Sequence, residues 1–258
     1  PVLWIDKGYE VLWSNECARR LYKPDSPFCY SRFHGLDRPC NELGEPCPKG
    51  QAESLGAPFS VIHAHLGRAL EPGLFRVVAV PIETGGVLEL HLALGPELIR
   101  DELTGLFRKE YWLEIAHRGR ELLERLDLPY SLIMLDLDRF KAFNDAHGHL
   151  AGDDLLRGVG EEVRRVMRAS DTGCRFGGEE FVIFLPNSKS DAARQVAERI
   201  CRAVADLSVE TDEGPRGVSG SLGTYTALPQ EPLADSLRRA DEALYSAKAA
   251  GRGQVVVT

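Results

Sequence analysis

The stretch Arg175-Phe176-Gly177-Gly178-Glu179-Glu180-Phe181-Val182-Ile183-Phe184 constrains this chain most. It reads as two short strands, Asp171 to Phe176 and Phe181 to Leu185, joined by a Gly-Gly turn that carries two consecutive carboxylates. Paired glycines admit positive φ at low steric cost, so the turn is predicted to be tight, with positive φ at its glycines. Phe181 and Ile183 anchor the hairpin in a core, leaving the acidic side chains at the tip. Carboxylates fixed on a rigid hairpin suit a hard divalent cation such as Mg²⁺. Taken alone, the same residues serve equally well as a solvated turn.

A second acidic locus lies upstream. Leu132 to Leu135 is a continuous apolar run, the mark of a strand buried on both faces. Asp136 stands where that strand ends, and an unpaired carboxylate is costly inside a core. Lys141 follows five residues later. Two acidic loci with a lysine nearby fit a metal-assisted nucleotide site. The chemistry this suggests is phosphoryl or nucleotidyl transfer, in which positioning and charge neutralisation supply most of the catalysis.

The spaced blocks Leu103-Thr104-Gly105-Leu106, Asp136-x-Asp138-x-Phe140-Lys141-x-x-Asn144-Asp145, Gly148-His149-x-x-Gly152-Asp153, Gly177-Gly178-Glu179-Glu180-Phe181 and Ala247-Lys248-x-x-Gly251-Arg252 resemble, in order and spacing, the GGDEF-domain diguanylate cyclases. The resemblance covers roughly residues 101 to 258. It implies a palm-like, mixed-sheet α/β cyclase fold that condenses two GTP into cyclic di-GMP and two pyrophosphates. Each domain holds one GTP, so the resemblance also implies a homodimer.

Carried over by motif, Asp136, the Leu137 carbonyl and Glu179 would hold Mg²⁺ (or Mn²⁺). Glu179 or Glu180 would assist removal of the ribose 3′-hydroxyl proton; the resemblance favours Glu179, although a metal ligand makes a poor base. Glu179 replaces the Asp of the family name and keeps the carboxylate on a longer arm, so activity is expected to survive. Asn144 and Asp153 would read guanine through donors that adenine lacks. His149 either lines that pocket or caps the turn. Lys141, Lys248 and Arg252 would neutralise the β- and γ-phosphates. The usual Gly-Arg-Asn ending is here Gly251-Arg252-Gly253, which removes one polar side chain. Arg168 and Asp171 match the family's inhibitory Arg-x-x-Asp site for bound product, with Arg199 as a secondary ligand; a helix-end salt bridge is the plainer reading of the same pair. The rival readings are a catalytically weak module that binds GTP or cyclic di-GMP as a regulator, and a cyclase that also accepts ATP.

With 258 residues, two domains are expected. Charged residues at 27% and hydrophobic ones at 43% describe a soluble globular chain. A formal charge of −8 argues against a nucleic-acid surface, which needs clustered Lys and Arg. No apolar run approaches the roughly 20 residues of a membrane span. The chain opens on Pro1 rather than Met, as expected of a piece of a longer polypeptide, so upstream membrane segments stay open. Six cysteines without a secretory signal are expected to stay reduced in a bacterial cytoplasm.

Residues 1–95 read as a first domain. Val2 to Ile5 and Glu10 to Trp13 are strand-like around the turn Asp6-Lys7-Gly8, and Asn15 can cap a short helix through Tyr22. Pro24 to Pro58 is rich in Pro, Gly and Cys and holds at most short helical turns. Phe59 to Leu66, Leu74 to Ile82 and Val87 to Leu94 are three further strands, the last two joined at Thr84-Gly85-Gly86. That order, with Trp4-Ile5-Asp6 and Trp13-Ser14-Asn15, resembles a PAS-like sensor domain with an antiparallel sheet. Cys29, His34, Cys40 and Cys47 could ligate zinc, an iron–sulfur cluster or haem iron. Cys40 and Cys47 stand further apart than in a zinc knuckle, and free cysteine is also a common small core residue. His63 and His65 share one strand face, towards either solvent or a pocket. The sensor's own ligand is not legible.

Residues 96–102 read as a short helical linker that favours mechanical coupling, and 103–258 as the cyclase domain. There, helices over 110–126, 150–168, 191–207 and 233–250 alternate with strands over 130–137, 218–226 and 254–257. This is an α/β sandwich with its acidic groups at one sheet edge.

Overall fold

Short apolar runs in the first hundred residues pair into a single antiparallel sheet. Strands β1 (Val2–Ile5), β2 (Val11–Ser14), β3 (Phe59–Leu66), β4 (Pro72–Pro81) and β5 (Val87–Ala93) lie in the order β2-β1-β5-β4-β3. The structure is a computed structural model that describes residues 1–22, 26–43, 46–66, 72–228 and 230–258, and it divides into units Pro1–Leu98 and Ile99–Thr258.

Between β2 and β3 lie helices α1 (Glu16–Leu21), α2 (Cys29–His34) and α3 (Pro48–Leu55), with a 3-10 turn at Cys40–Leu43. Asn15 caps α1 as expected, its Oδ1 accepting from the Ala18 amide at 2.9 Å. Residues 24, 25, 44 and 45 of the Cys-rich segment lie outside the described residues. At the first turn the left-handed residue is Tyr9, at φ 70°, rather than a glycine. The core of this unit gathers Leu3, Ile5, Tyr22, Cys29, Phe33, Ala79 and Val87.

Strand β5 inverts the usual alternation. Val87, Glu89 and His91 face inward, whereas Leu88, Leu90 and Leu92 are 41%, 38% and 44% exposed. The β1–β5 and β4–β5 registers set this polarity, since a shift of one residue would turn the whole strand over.

The second unit has a mixed sheet in the order β11-β10-β7-β9-β8-β6. Its elements are α4 (Pro96–Ile99), which joins it to the first unit, β6 (Phe107–Arg108), α5 (Lys109–Arg125), β7 (Tyr130–Leu137), α6 (Phe140–Val166), β8 (Thr172–Arg175), β9 (Glu180–Pro186), α7 (Ser190–Asp206), β10 (Gly220–Ala227), α8 (Leu233–Ala249) and β11 (Val255–Val257). Every residue of β7 is buried, as its unbroken apolar run requires. Ile133, Leu135, Phe181 and Ile183 pack under α6 and α7. Leu132, Met134, Val182 and Phe184 form a second core with Trp112 of α5 and Leu244 of α8. Helices thus cover both faces of the sheet.

Helix α6 starts ten residues before the expected 150. It is two helical arms meeting at Gly148, whose φ of 83° and ψ of 162° interrupt the helix. That backbone conformation favours glycine. Asp136 ends the central strand, between β10 and β9, so the acidic groups cluster at the ends of central strands rather than at the sheet's lateral edge. Among the described residues, no helix is long and apolar enough to cross a membrane.

Candidate active site

The pairing of β7 with β9 brings the two acidic loci together. Asp136 lies opposite Glu180 in the antiparallel ladder, so their side chains leave the same face of the sheet. One position further on, the Leu137 amide donates to the Glu179 carbonyl at 3.3 Å. Two carboxylates and a backbone carbonyl at adjoining positions are hard oxygen donors of the kind Mg²⁺ takes, so the residues present fit such an ion. Asp136 is nearly buried, and a cation is already set against it: Lys248 Nζ, from α8, lies 2.8 Å from its Oδ2.

The hairpin tip differs from its expected conformation. Neither Gly177 nor Gly178 lies in the left-handed region. The loop closes through the Phe176 and Gly177 amides, which donate to the Glu180 carbonyl at 2.7 and 3.3 Å. A Cβ at Gly177 would stand 2.6 Å from Glu180 Oε2, so a larger residue there would displace the Glu180 carboxylate. Arg175 braces the tip, donating from Nε and Nη2 to the Gly178 carbonyl at 3.0 and 2.8 Å. Its Nη1 reaches Asp101 Oδ2 at 3.5 Å. Asp101 Oδ1 in turn accepts from the Thr104 amide and hydroxyl at 2.9 and 2.8 Å. The Leu103–Leu106 block is therefore a turn whose leading carboxylate steadies the acidic hairpin. Asp101 had no role assigned from the sequence, although it opens that block.

Asp138 was another omission. Its buried carboxylate accepts from Ser219 Oγ at 2.6 Å, Ser221 Oγ at 2.7 Å and the Gly253 amide at 3.0 Å. It thereby ties the end of β7 to β10 and to the turn that carries Arg252. In that turn Arg252 and Gly253 have φ of 67° and 58°. Glycine and asparagine are the residues that adopt this region most readily, so Gly253 in place of Asn keeps the turn.

The bend at Gly148 sets Asn144 on one arm of α6 and Asp153 on the other. Asn144 Oδ1 is buried without a hydrogen-bond partner. It occupies the space a Cβ would take at Gly152, 1.8 Å away. Asp153, His149, Lys141 and Arg252 are exposed. His147, rather than His149, packs on Phe143 with ring centroids 4.9 Å apart. These two residues, Asp138 and Arg252 line a cleft of about 500 Å³.

The Arg168–Asp171 pair forms a closed turn. Asp171 Oδ2 accepts from the Arg168 amide at 2.8 Å, and the Asp171 amide donates to the Arg168 carbonyl at 3.1 Å. Arg199 is held alongside by its Nη2, which donates to the Val166 carbonyl at 2.6 Å. In the first unit, Cys29, Cys40 and Cys47 are buried free thiols. Burial pushes the Cys29 and Cys47 thiols up. His34 lies instead with His63 and His65, both of which face inward.

Comparison with known proteins agrees with the second unit's motifs. The chain is 31% identical over 185 residues to the diguanylate cyclase VdcA of Vibrio cholerae serotype O1, covering 69% of this chain and 52% of that one. It thus spans about half the length of that relative. The structure of the GGDEF domain of DgcB from Caulobacter crescentus, in complex with c-di-GMP, is 29% identical, with a TM-score of 0.59 over 62% of this chain and 95% of that one. The active GGEEF domain of a diguanylate cyclase from Vibrio cholerae is 31% identical, with a TM-score of 0.54 over 59% and 96% of the two chains. The family described as diguanylate cyclase, GGDEF domain, matches residues 98–254, and the chain belongs to that family.

Proposed function

We propose that this chain is a diguanylate cyclase, condensing two GTP into cyclic di-GMP with release of two pyrophosphates. The observation that carries the reading is the junction of β7 with β9, where Asp136 lies opposite Glu180, the Leu137 amide bonds the Glu179 carbonyl, and Lys248 of α8 pairs with Asp136. The GGEEF form of the hairpin is the one named in the active Vibrio cholerae domain, so Glu179 is compatible with turnover.

Asp136, the Leu137 carbonyl and Glu179 hold the divalent ion, Mg²⁺ or Mn²⁺. When bound, such an ion neutralises phosphate charge and polarises the phosphoryl group. Lys248, Arg252 and Lys141 bind the β- and γ-phosphates. Asn144 reads the guanine edge by accepting through its amide oxygen, which has no partner inside the protein, and donating from its amide NH2, and Asp153 accepts from N1–H and the 2-amino group. The 3′-oxygen of one nucleotide attacks the α-phosphorus of the other, and pyrophosphate leaves. A carboxylate of the Glu179–Glu180 pair assists loss of the 3′-hydroxyl proton. Both ring-closing bonds need two such domains face to face, hence a homodimer.

Residues 1–95 are assigned as a PAS-like sensor that biases this pairing, 96–102 as the linker and 103–258 as the cyclase. Arg168, Asp171 and Arg199 form the inhibitory product site, where a guanidinium meets phosphate or a guanine edge. Its support is the closed Arg168–Asp171 turn with Arg199 fixed beside it.

The test is incubation with GTP and Mg²⁺, measuring cyclic di-GMP and pyrophosphate. Wild type yields both in a 1:2 ratio, while Asp136→Ala and Glu179→Ala stay folded and yield neither. Cyclic di-GMP binding without any product would instead make the chain a regulator.

A further inference from the structure

Four of the chain's seven histidines, His34, His63, His65 and His91, meet in the core of the first unit. One ring nitrogen from each of His34, His63 and His65 lies within 4.8 Å of the other two. The rings of His63, His65 and His91 belong to residues each 1% exposed. Burying imidazoles while the leucines of β5 face outward is the reverse of what solvation favours.

The hydrogen bonds of His63, His65 and His91 indicate which of their ring nitrogens carry lone pairs. A carbonyl oxygen can only accept, so His63 donates from Nε2 to the Pro46 carbonyl at 2.5 Å, leaving its lone pair on Nδ1. The Glu89 carboxylate accepts from His91 Nε2 at 3.0 Å, which makes His91 Nδ1 the acceptor. Tyr22 therefore donates its hydroxyl proton to His91 Nδ1 at 2.8 Å. The Tyr22 oxygen then accepts from His65 Nδ1 at 2.8 Å, leaving the His65 lone pair on Nε2. The relay Glu89–His91–Tyr22–His65 is the outer-shell arrangement that orients imidazole ligands around metals, ending here on a buried carboxylate.

We propose that His34, His63 and His65 form a three-imidazole site for a divalent first-row transition ion, of the Zn²⁺ or Co²⁺ kind, in the first unit. Neutral imidazoles suit such borderline ions and bind Mg²⁺ poorly. Metal–nitrogen bonds of about 2.0–2.1 Å place tetrahedral ligands roughly 3.4 Å apart, so binding draws the three nitrogens inward by about an ångström. Three protein ligands leave a fourth position open to water or a small molecule. The thiols of Cys29, Cys40 and Cys47 are not in the set. The site is independent of the carboxylate site in the second unit.

The test uses the full chain, stripped with chelator and titrated with Co²⁺, followed by metal analysis after desalting from Zn²⁺. The expected result is visible d–d absorption of a tetrahedral site, saturating at one equivalent, and one retained Zn²⁺ per chain. His34→Ala and His63→Ala weaken binding at least a hundredfold with unchanged folding by circular dichroism. Tyr22→Phe, which breaks the relay, weakens it about tenfold. Asp136→Asn leaves it unchanged, separating this site from the proposed cyclase site. Wild type that gives no d–d bands at micromolar Co²⁺ and keeps no Zn²⁺ overturns the proposal, whatever the variants do. Unaltered binding by folded His34→Ala overturns the ligand set.

Discussion

Lys248 Nζ and Asp136 Oδ2 form a 2.8 Å ion pair between α8 and the end of the central strand. The Asp136 side chain is 11% exposed and that of Lys248 32%, so the pair is poorly screened. In the proposed reaction both groups acquire new partners, the aspartate a divalent ion and the lysine a phosphate. On the proposed reaction, the lysine is the counterion that a metal must displace from Asp136 before nucleotide arrives.

Replacing Lys248 by Met should separate these two roles. Metal binding without nucleotide tightens about tenfold, because a nearly buried carboxylate loses its protein counterion. The kcat/KM for GTP falls about a hundredfold through the lost phosphate contact. Calorimetric Mn²⁺ titration and steady-state kinetics on one preparation measure both. A variant that binds Mn²⁺ more weakly than wild type would refute the competition.

Arg175 holds the hairpin tip through the Gly178 carbonyl and links it to Asp101. Arg175→Ala leaves every proposed ligand in place but frees the loop that aims Glu179. Misplacement of a reacting group by about 1 Å can cost about 100-fold in rate. The expectation is a fall in kcat of about 10- to 100-fold with little change in the melting temperature. Asp101→Asn should show the same trend more weakly, since it keeps the turn but loses the charge. Unaltered kcat in Arg175→Ala would remove the bracing role.

Gly152→Ala tests the proposed guanine-reading role of Asn144 without replacing a polar group. Its Cβ would fall 1.8 Å from Asn144 Oδ1, so the amide must leave its position. Alanine favours a helix over glycine by about 0.5–1 kcal/mol, so folding should not suffer. The KM for GTP rises about tenfold or more and the preference over ATP narrows. Equal KM and equal selectivity would show that Asn144 does not read the base.

The parts of this architecture visible in the sequence are those where one local rule acts alone. An unbroken apolar run named β7, Asn15 named its own cap, and the spaced motifs located Asp136 and Glu179. The sequence misled where a residue's neighbours come from distant segments. Gly177 suggested a left-handed turn, but its φ is not positive, and what a side chain there would meet is the Glu180 carboxylate. The helix from Phe140 was hidden because Gly148 breaks the periodicity midway. Asp138 looked like one acidic residue among several, and only folding brings it Ser219, Ser221 and Gly253. The leucines of β5 would be placed inward by pattern alone, whereas pairing with β1 and β4 turns Glu89 and His91 inward. His63 and His65 share a face by spacing, but nothing local brings His34 to them.

The cysteines give a prediction whose sign follows from burial. Removing the Cys29 thiol from water disfavours its thiolate and pushes its pKa well up, and Cys47 shifts the same way for the same first cause. In the unfolded chain these thiols ionise near pH 8.5. Below that pH both states are protonated and the contribution to stability is whole. Above it the unfolded state alone loses protons, so stability falls as pH rises towards the folded values, by up to about 1.4 kcal/mol per pH unit for each fully shifted thiol. The urea midpoint should therefore drop between pH 8 and 10, and Cys29→Ala should flatten that slope. The thiolate is the reactive form, so alkylation of the native chain at pH 8 should label exposed Cys17 first and spare Cys29 and Cys47 until urea unfolds the first unit. Mass-mapped labelling of Cys29 at the same rate as Cys17 in native buffer would contradict the burial that both effects rest on.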